Sequence, residues 1–334
     1  MAAITSIVTA EMPRMPSLYL AHGLPSYALA GYPEQQGLKE AQVRTLQHIE
    51  LKLFRLFLCI SMPHNLSVHQ NQQYTTMLRN VSKMFPQPKA IVVMSGHWVT
   101  TRQGLKVTTA AHPKTIHEFY GFPRELYAMK YTAPGAPELA ARIHALAEEV
   151  VGDSGWGIDH GAWTLLCHLY PDANIPVVEL SVDNNIPGHI YFELGRKLRT
   201  LRDEGVLLMG SGSIVHNLRQ LRWGGPPHEW AKSFNDWVVS RVMRTKTSSG
   251  DDSNERSLYA SFLDAPGGRE SVPAPDHYFP FLFALGAAYE DDERSKLIDW
   301  IDNGANGMTS FGFGLPRQSN EEIFAATKER AYCT

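Results

Sequence analysis

The sequence of 334 residues has few cysteines and little net charge, and each shortage excludes a class of protein. Three cysteines, Cys59, Cys167 and Cys333, are too few for a disulfide framework, and none has CxxC spacing. This favours a reducing compartment and predicts a cytoplasmic protein. The formal net charge of -3 gives no reason to expect nucleic acid or an anionic membrane as a partner. A small molecule is therefore the expected ligand.

Long apolar segments are also lacking. The first fifteen residues contain Glu11 and Arg14 and have no apolar centre, unlike a secretory signal peptide. The most apolar window, residues 51–62, contains Lys52 and Arg55 and is too short to span a bilayer. We therefore expect a soluble protein with no membrane partner. The oligomeric state stays open.

Several local motifs of known chemistry are absent from the sequence. There is no HExxH, no CxxC pair and no EF-hand loop, so no metal site is encoded by one short segment. Neither GxGxxG nor GxxxxGK[ST] occurs, which argues against a nucleotide-phosphate cradle. The GxSxG elbow of a serine hydrolase is missing as well. Any catalytic site must be assembled from distant parts of the chain.

What the sequence does contain is apolar runs that lead into histidines. Residues 18–21 lead into His22, residues 91–94 lead through SG into His97, and residues 205–210 lead through SGS to His216. Short apolar runs bounded by turn residues are typical of buried strands in an α/β sheet. Ligands of such sheets bind beyond the carboxyl ends of the strands. We therefore predict one α/β domain with these three histidines on one rim of its sheet.

Two further histidines occupy turns. His160 follows Asp159, which is a candidate N-cap for a helix, and His277 lies on a proline-stiffened turn. A structural role for His160 remains equally open from the residues alone. Neutral imidazole suits zinc, copper, nickel or ferrous iron. A mononuclear metal site built from these five histidines is one hypothesis.

An aromatic segment, TIHEFYGFP at 115–123, lies between His97 and His160. Clustered rings near a glycine turn are typical of a pocket for a planar ligand, although a packed satellite cluster is an equal alternative. A separate polar segment contains His64 and His69. We expect it to be a solvated loop and not a metal site.

Six ordered motifs together give the sequence a family resemblance. They are HGLP at 22–25, SGHW at 95–98, IHEFYGFP at 116–123, GIDHGAW at 157–163, GSGS to HNL at 210–218 and DHY at 276–278. In this order they resemble the class III extradiol ring-cleavage dioxygenases of the LigB type, in the branch typified by 4,5-DOPA dioxygenase. The likeness covers residues 16–288. It implies a single domain at 16–316 in three layers, with a central mixed sheet flanked by helices, and tails at 1–15 and 317–334.

The resemblance also implies roles for individual residues. His22, His97 and His277 are implied as metal ligands, and His216 as a further ligand or an acid/base residue. His160 is implied as an acid/base residue or a substrate donor. The metal would be Fe(2+) for catalysis, with Zn(2+) possible in the same site. The substrates would be a catechol such as L-DOPA and O2, with 4,5 or 2,3 cleavage left open.

The substrate pocket is expected around residues 115–123 and Trp163. The expected substrate-binding side chains there are those of His117, Phe119, Tyr120 and Trp163.

Three features depart from the family pattern. Glu118 stands where Asp is usual, and Leu24 stands where a small Ser is common. The chain between His22 and His97 is also longer than usual, with an atypical insertion at about 27–69. This insertion is either a genuine lid or an untranslated segment read through as protein.

Two other functions compete with ring cleavage. A zinc hydrolase would use the same histidines to activate water and would need no O2. A catalytically silent relative would keep the histidines and bind metal without cleaving a catechol. Retention of both His160 and His216 favours the dioxygenase.

Overall fold

The computed structural model of the chain describes residues 13–25, 28, 65–122, 124–244 and 253–316, and for 65–70 it describes the backbone only. Most of the expected insertion at 27–69, a possible helix at 38–57 and His64 lie outside these ranges. The proposed domain limits of 16–316 therefore stay a prediction.

Most strands of the described chain belong to one mixed sheet. In spatial order its eight strands are β4, β3, β5, β2, β6, β1, β10 and β7, while β8 and β9 form a separate pair. Their bounds are β1 Ser17–Ala21, β2 Ala90–Val99, β3 Leu105–Thr108, β4 Val150–Asp153, β5 Val177–Val182, β6 Val206–Gly212, β7 Arg294–Ile298, β8 Ile301–Asp302, β9 Asn306–Gly307 and β10 Ser310–Phe313.

The centre of the sheet is parallel and its outer strands reverse direction. β5, β2, β6 and β1 run parallel to one another. β3 is antiparallel to β5, and β10 is antiparallel to β1 and β7. The parallel strands are mostly apolar and almost entirely buried, as expected when helices cover both faces.

Helices pack on both faces of the sheet. Their bounds are α1 Asn65–Val81, α2 Arg124–Ala128, α3 Pro137–Leu146, α4 His160–Leu169, α5 Gly188–Leu198, α6 Glu229–Val242, α7 Ser253–Ala260, α8 Gly268–Ser271 and α9 Phe279–Gly286. Alternate strand residues supply two separate cores, since Leu207 and Met209 of β6 join α1 and α4, whereas Val206 and Leu208 join α3, α5 and α9. This three-layer arrangement confirms the predicted α/β fold with a mixed sheet.

The structure differs from the sequence expectations at several element boundaries. β2 does not stop at His97 but continues to Val99, with a register irregularity against β5 between Met94 and Val99. The short polar strands β4 and β7 to β9 and helix α7 were not expected. Within the described ranges no helix has the length and apolarity needed to cross a membrane.

Candidate active site

Histidines gather at one edge of the sheet because parallel strands end there. His22 directly follows β1, and His97 lies two residues before the end of β2. His160 is the first residue of α4, and His277 lies just before α9. His216 follows β6 by four residues. All five predicted histidines are therefore brought into one cluster of ring contacts.

The Nε2 atoms of three histidines converge. Nε2 of His97 lies 3.0 Å from Nε2 of His22 and 3.3 Å from Nε2 of His277. With metal–nitrogen bonds of about 2.1 Å, two ligands at octahedral or tetrahedral angles stand about 3.0 to 3.4 Å apart. The spacing and chemistry of this donor set therefore fit a metal ion, and these three residues form a group that could hold one.

Burial favours the neutral form of His22, His97 and His216. Desolvation lowers the pKa of His22 well below its usual range, and the charge that His277 would carry lowers it further. The pKa of His97 falls for the same reason, and a charge on His160 would lower it further. Desolvation and His277 likewise lower the pKa of His216. Neutral rings offer nitrogen lone pairs, which is the form that a metal binds.

Glu118 fixes the orientation of His160. Its Oε1 accepts the backbone N–H of His160 at 3.0 Å and is in close contact with Nδ1 of the same ring. A carboxylate only accepts, so Nδ1 of His160 carries the proton and Nε2 is left with a lone pair. The ring also lies beside His97, with 3.8 Å between centroids. The ring of His160 is therefore held in a fixed orientation next to the ligand group.

His216 occupies the other side of the cluster. Its ring stacks on that of His277, with 3.6 Å between centroids and 10° between planes. Asp276 lies beside this stack, with Oδ1 3.2 Å from Nδ1 of His277. Burial alone would raise the pKa of Asp276, but its contacts with His277 lower it, so the carboxylate stays ionised. His216 is thus grouped with Asp276 and His277 and does not belong to the convergent set.

Aromatic rings form one wall beside His160. The ring of Phe119 meets that of His160 edge-on at 5.3 Å and lies 6.2 Å from that of Trp163. His117 lies 5.6 Å from Trp163, and its Nε2 is 2.9 Å from the carbonyl of Met129. Tyr120 is 91% exposed at the tip of this segment. Three of the four expected substrate-binding residues are thus clustered, whereas Tyr120 projects outward.

Two buried carboxyl groups lie beneath the first turn of α4. Asp159 caps this helix as predicted, since its Oδ1 accepts from the N–H of Ala162 at 3.2 Å and from the hydroxyl of Ser95 at 2.8 Å. Oε2 of Glu179 accepts the backbone N–H of Asp159 at 2.9 Å. Oδ2 of Asp159 and Oε1 of Glu179 have no hydrogen-bond donor among the described residues.

Both carboxyl groups have a raised pKa. Burial, followed by the nearby charge of Glu118, raises the pKa of Asp159 to about 6. Burial and the charge of Asp159 raise the pKa of Glu179 well above its usual range. Glu179 is therefore expected to keep a proton above the pH at which an exposed glutamate loses it.

Sequence reasoning did not assign Glu118, Ser211, Asp276 or Glu179 to the site. Glu118 was noticed only as a departure from the family pattern. A signal existed for Glu179, because it is the one charged residue within the apolar run of β5. Ser211 lies in the GSGS segment, which offers hydroxyls but not the spacing of a serine-hydrolase elbow.

Known proteins resemble this chain along most of its length. Residues 58–297 match the family described as the catalytic LigB subunit of aromatic ring-opening dioxygenase. The chain belongs to the LigB family. A 4,5-DOPA dioxygenase extradiol of Escherichia coli K12 is 40% identical over 264 residues, which cover 78% of this chain and 94% of that relative. Another of Beta vulgaris is 38% identical, covering 68% and 83% respectively.

A solved structure agrees with this family assignment. An uncharacterized protein of Escherichia coli K12 superposes with a TM-score of 0.64 at 34% identity, covering 90% of this chain and all of that one. The family and these relatives identify this chain as an extradiol ring-opening dioxygenase. This confirms the predicted family and reaction class, and the hydrolase and silent-relative alternatives are not favoured.

The carboxyl pair makes stability depend on pH. A carboxyl whose folded pKa is raised binds its proton more tightly in the native state, so stability is lost as pH rises above the unfolded value of about 4.3. Glu179→Gln replaces this carboxyl group with an amide that does not titrate. We expect its stability advantage over the unchanged protein to grow from pH 5 to pH 8, by at most about 1.4 kcal/mol per pH unit.

Thermal unfolding of both metal-free proteins across this range measures the difference. Glu193→Gln, which removes an exposed carboxylate from α5, is the matched control and should give a pH-independent difference. If the stabilities of Glu179→Gln and the unchanged protein change in parallel with pH, the pKa of Glu179 is not raised.

Proposed function

We propose that the protein cleaves the ring of an L-DOPA-like catechol next to its diol with O2, using Fe(2+) bound by His22, His97 and His277. The convergence of their three Nε2 atoms is the observation that supports this most strongly. Bound ferrous iron would supply positive charge, open positions for both catechol oxygens and O2, and one-electron chemistry. Zn(2+) would fit the same three nitrogens, and only iron would support oxidation.

The protein's own acid/base groups flank these ligands on two sides. Nε2 of His160 is free to take a proton from a catechol hydroxyl, because Nδ1 is occupied by Glu118. We assign the second proton transfer to His216, whose ring lies against His277. A ring-opening reaction needs a base first and an acid later. The proton that His160 takes from the catechol is the one it can later give back as the acid, and His216 can take the proton of the second hydroxyl.

The aromatic wall supports a planar substrate. Phe119 would contact a catechol ring and is supported by the buried Trp163, and His117 would hold the wall through the carbonyl of Met129. Tyr120, exposed in this structure, would contact only a substrate that extends to the mouth of the site. L-DOPA is proposed because several relatives carry the name 4,5-DOPA dioxygenase extradiol. The same names are the reason for proposing cleavage at the 4,5 bond.

Anaerobic reconstitution with ferrous iron, followed by L-DOPA and air, tests this function. We expect stoichiometric oxygen uptake and a yellow ring-opened product, whose structure distinguishes 4,5 from 2,3 cleavage. Protein loaded with zinc is the matched control and should consume no oxygen. Turnover with zinc in the absence of O2 would instead support a hydrolase. One bound metal per chain without reaction of any catechol would support a silent relative.

His97 and His216 should differ in what their removal does. His97→Ala removes one of the convergent nitrogens, so we expect metal binding and activity to be lost together. His216→Ala should keep the metal and lower kcat by about 10²-fold or more, the usual contribution of a positioned acid or base. Metal content by elemental analysis and oxygen uptake measure the two effects. Equal loss of metal in both variants would make His216 a ligand.

Glu118 should control the acid/base role of His160. Glu118→Ala removes the acceptor for Nδ1, so we expect kcat to fall by about 10²-fold with little change in metal content. Glu118→Asp restores the carboxylate that the family pattern usually has and should recover most of the activity. Glu138→Gln on α3 is an exposed control for loss of one charge. An unchanged pH profile of kcat in Glu118→Ala would contradict the positioning role.

A further inference from the structure

One fully buried hydroxyl connects a proposed metal ligand with the helix that carries His160. Ser211 lies near the end of β6, and its side chain is inaccessible to solvent. Its Oγ is 2.5 Å from the carbonyl oxygen of Gly161, in the first turn of α4, and 3.0 Å from Nδ1 of His22. No role in the proposed reaction has been given to this residue.

The directions of these two hydrogen bonds follow from a count of protons. A backbone carbonyl can only accept, so the 2.5 Å contact requires the single hydroxyl proton of Ser211 to point at Gly161. Oγ then has only lone pairs to offer to His22. The 3.0 Å contact is a hydrogen bond only if Nδ1 of His22 carries a proton.

This arrangement selects one of the two neutral forms of His22. A neutral imidazole has one proton, and Ser211 holds it on Nδ1. Nε2 of His22 therefore has a lone pair, directed at the point where Nε2 of His97 also lies. We propose that Ser211 is a positioning residue that holds His22 in the metal-binding tautomer. This inference rests on the proposed metal site.

The three ligands have different groups beside their Nδ1 atoms. His277 has the carboxylate of Asp276 3.2 Å from its Nδ1, and Nδ1 of His97 has Glu118 at 3.8 Å. His22 has a neutral hydroxyl instead, which adds no charge to a buried ligand. Outer partners of this kind typically raise metal affinity by about 10- to 100-fold.

Ser211→Ala tests the inference, and Ser17→Ala is its matched control. Ser17 is equally buried on the neighbouring strand β1, and its hydroxyl also donates to a backbone carbonyl, that of Ala284 at 2.9 Å, but it contacts no histidine. Competition with a chromophoric chelator gives the Kd for Zn(2+). We expect Ser211→Ala to bind about 10- to 100-fold more weakly, while Ser17→Ala stays close to the unchanged protein. The Co(2+) absorption spectrum should change in Ser211→Ala alone.

The outcomes separate this inference from the proposed function. Failure of the unchanged protein to bind Zn(2+) or Co(2+) would overturn the metal site itself. Tight binding by the unchanged protein, with equal Kd and spectrum in Ser211→Ala, would overturn the role of Ser211 alone. If Ser211→Ala does not fold, nitrogen-15 NMR of labelled histidines in the unchanged metal-free protein decides, because zinc on Nε2 would place the proton on Nδ1 with or without Ser211. A proton on Nδ1 of His22 supports the inference, and its absence overturns it.

Discussion

The site depends on which nitrogen of each neutral imidazole carries the proton, because a neutral imidazole has one proton for two nitrogens. A metal needs the inward nitrogen bare, so the outward nitrogen must carry the proton and needs an acceptor. Desolvation meets the first condition by keeping His22 and His97 uncharged. Ser211 accepts from the outward nitrogen of His22 and meets the second, and Asp276 lies 3.2 Å from the outward nitrogen of His277.

Strand register supplies these partners. β6 lies between β1 and β2, and Ser211 pairs with Leu20 on one side and Ser95 on the other. Leu207 and Met209 point into the same core as α4, and Ser211 continues this alternation toward Gly161. A slip of one residue would turn the serine to the opposite face. The two apolar cores thus fix the register on which the tautomer of His22 depends.

Part of this arrangement could be predicted from the sequence. Apolar runs ending near His22 and His97 indicated parallel strands, and the cap at Asp159 indicated the start of α4. The role of Ser211 could not be predicted, because its partner His22 is 189 residues away and a serine between glycines suggests only a turn. The strands missed, β4 and β7 to β9, are short and polar, so local periodicity is weak in them.

The site has two chemically different sides, which bears on the proposed division of acid/base work. His160 lies beside His97, with Glu118 holding its Nδ1 proton and Phe119 covering its edge. His216 lies flat against His277, so its nitrogens are displaced from the point where the three Nε2 atoms meet. A base with a fixed orientation suits the first proton transfer from a bound catechol. A second ring on the opposite side can accept a separate proton, because the ligand histidines lie between the two.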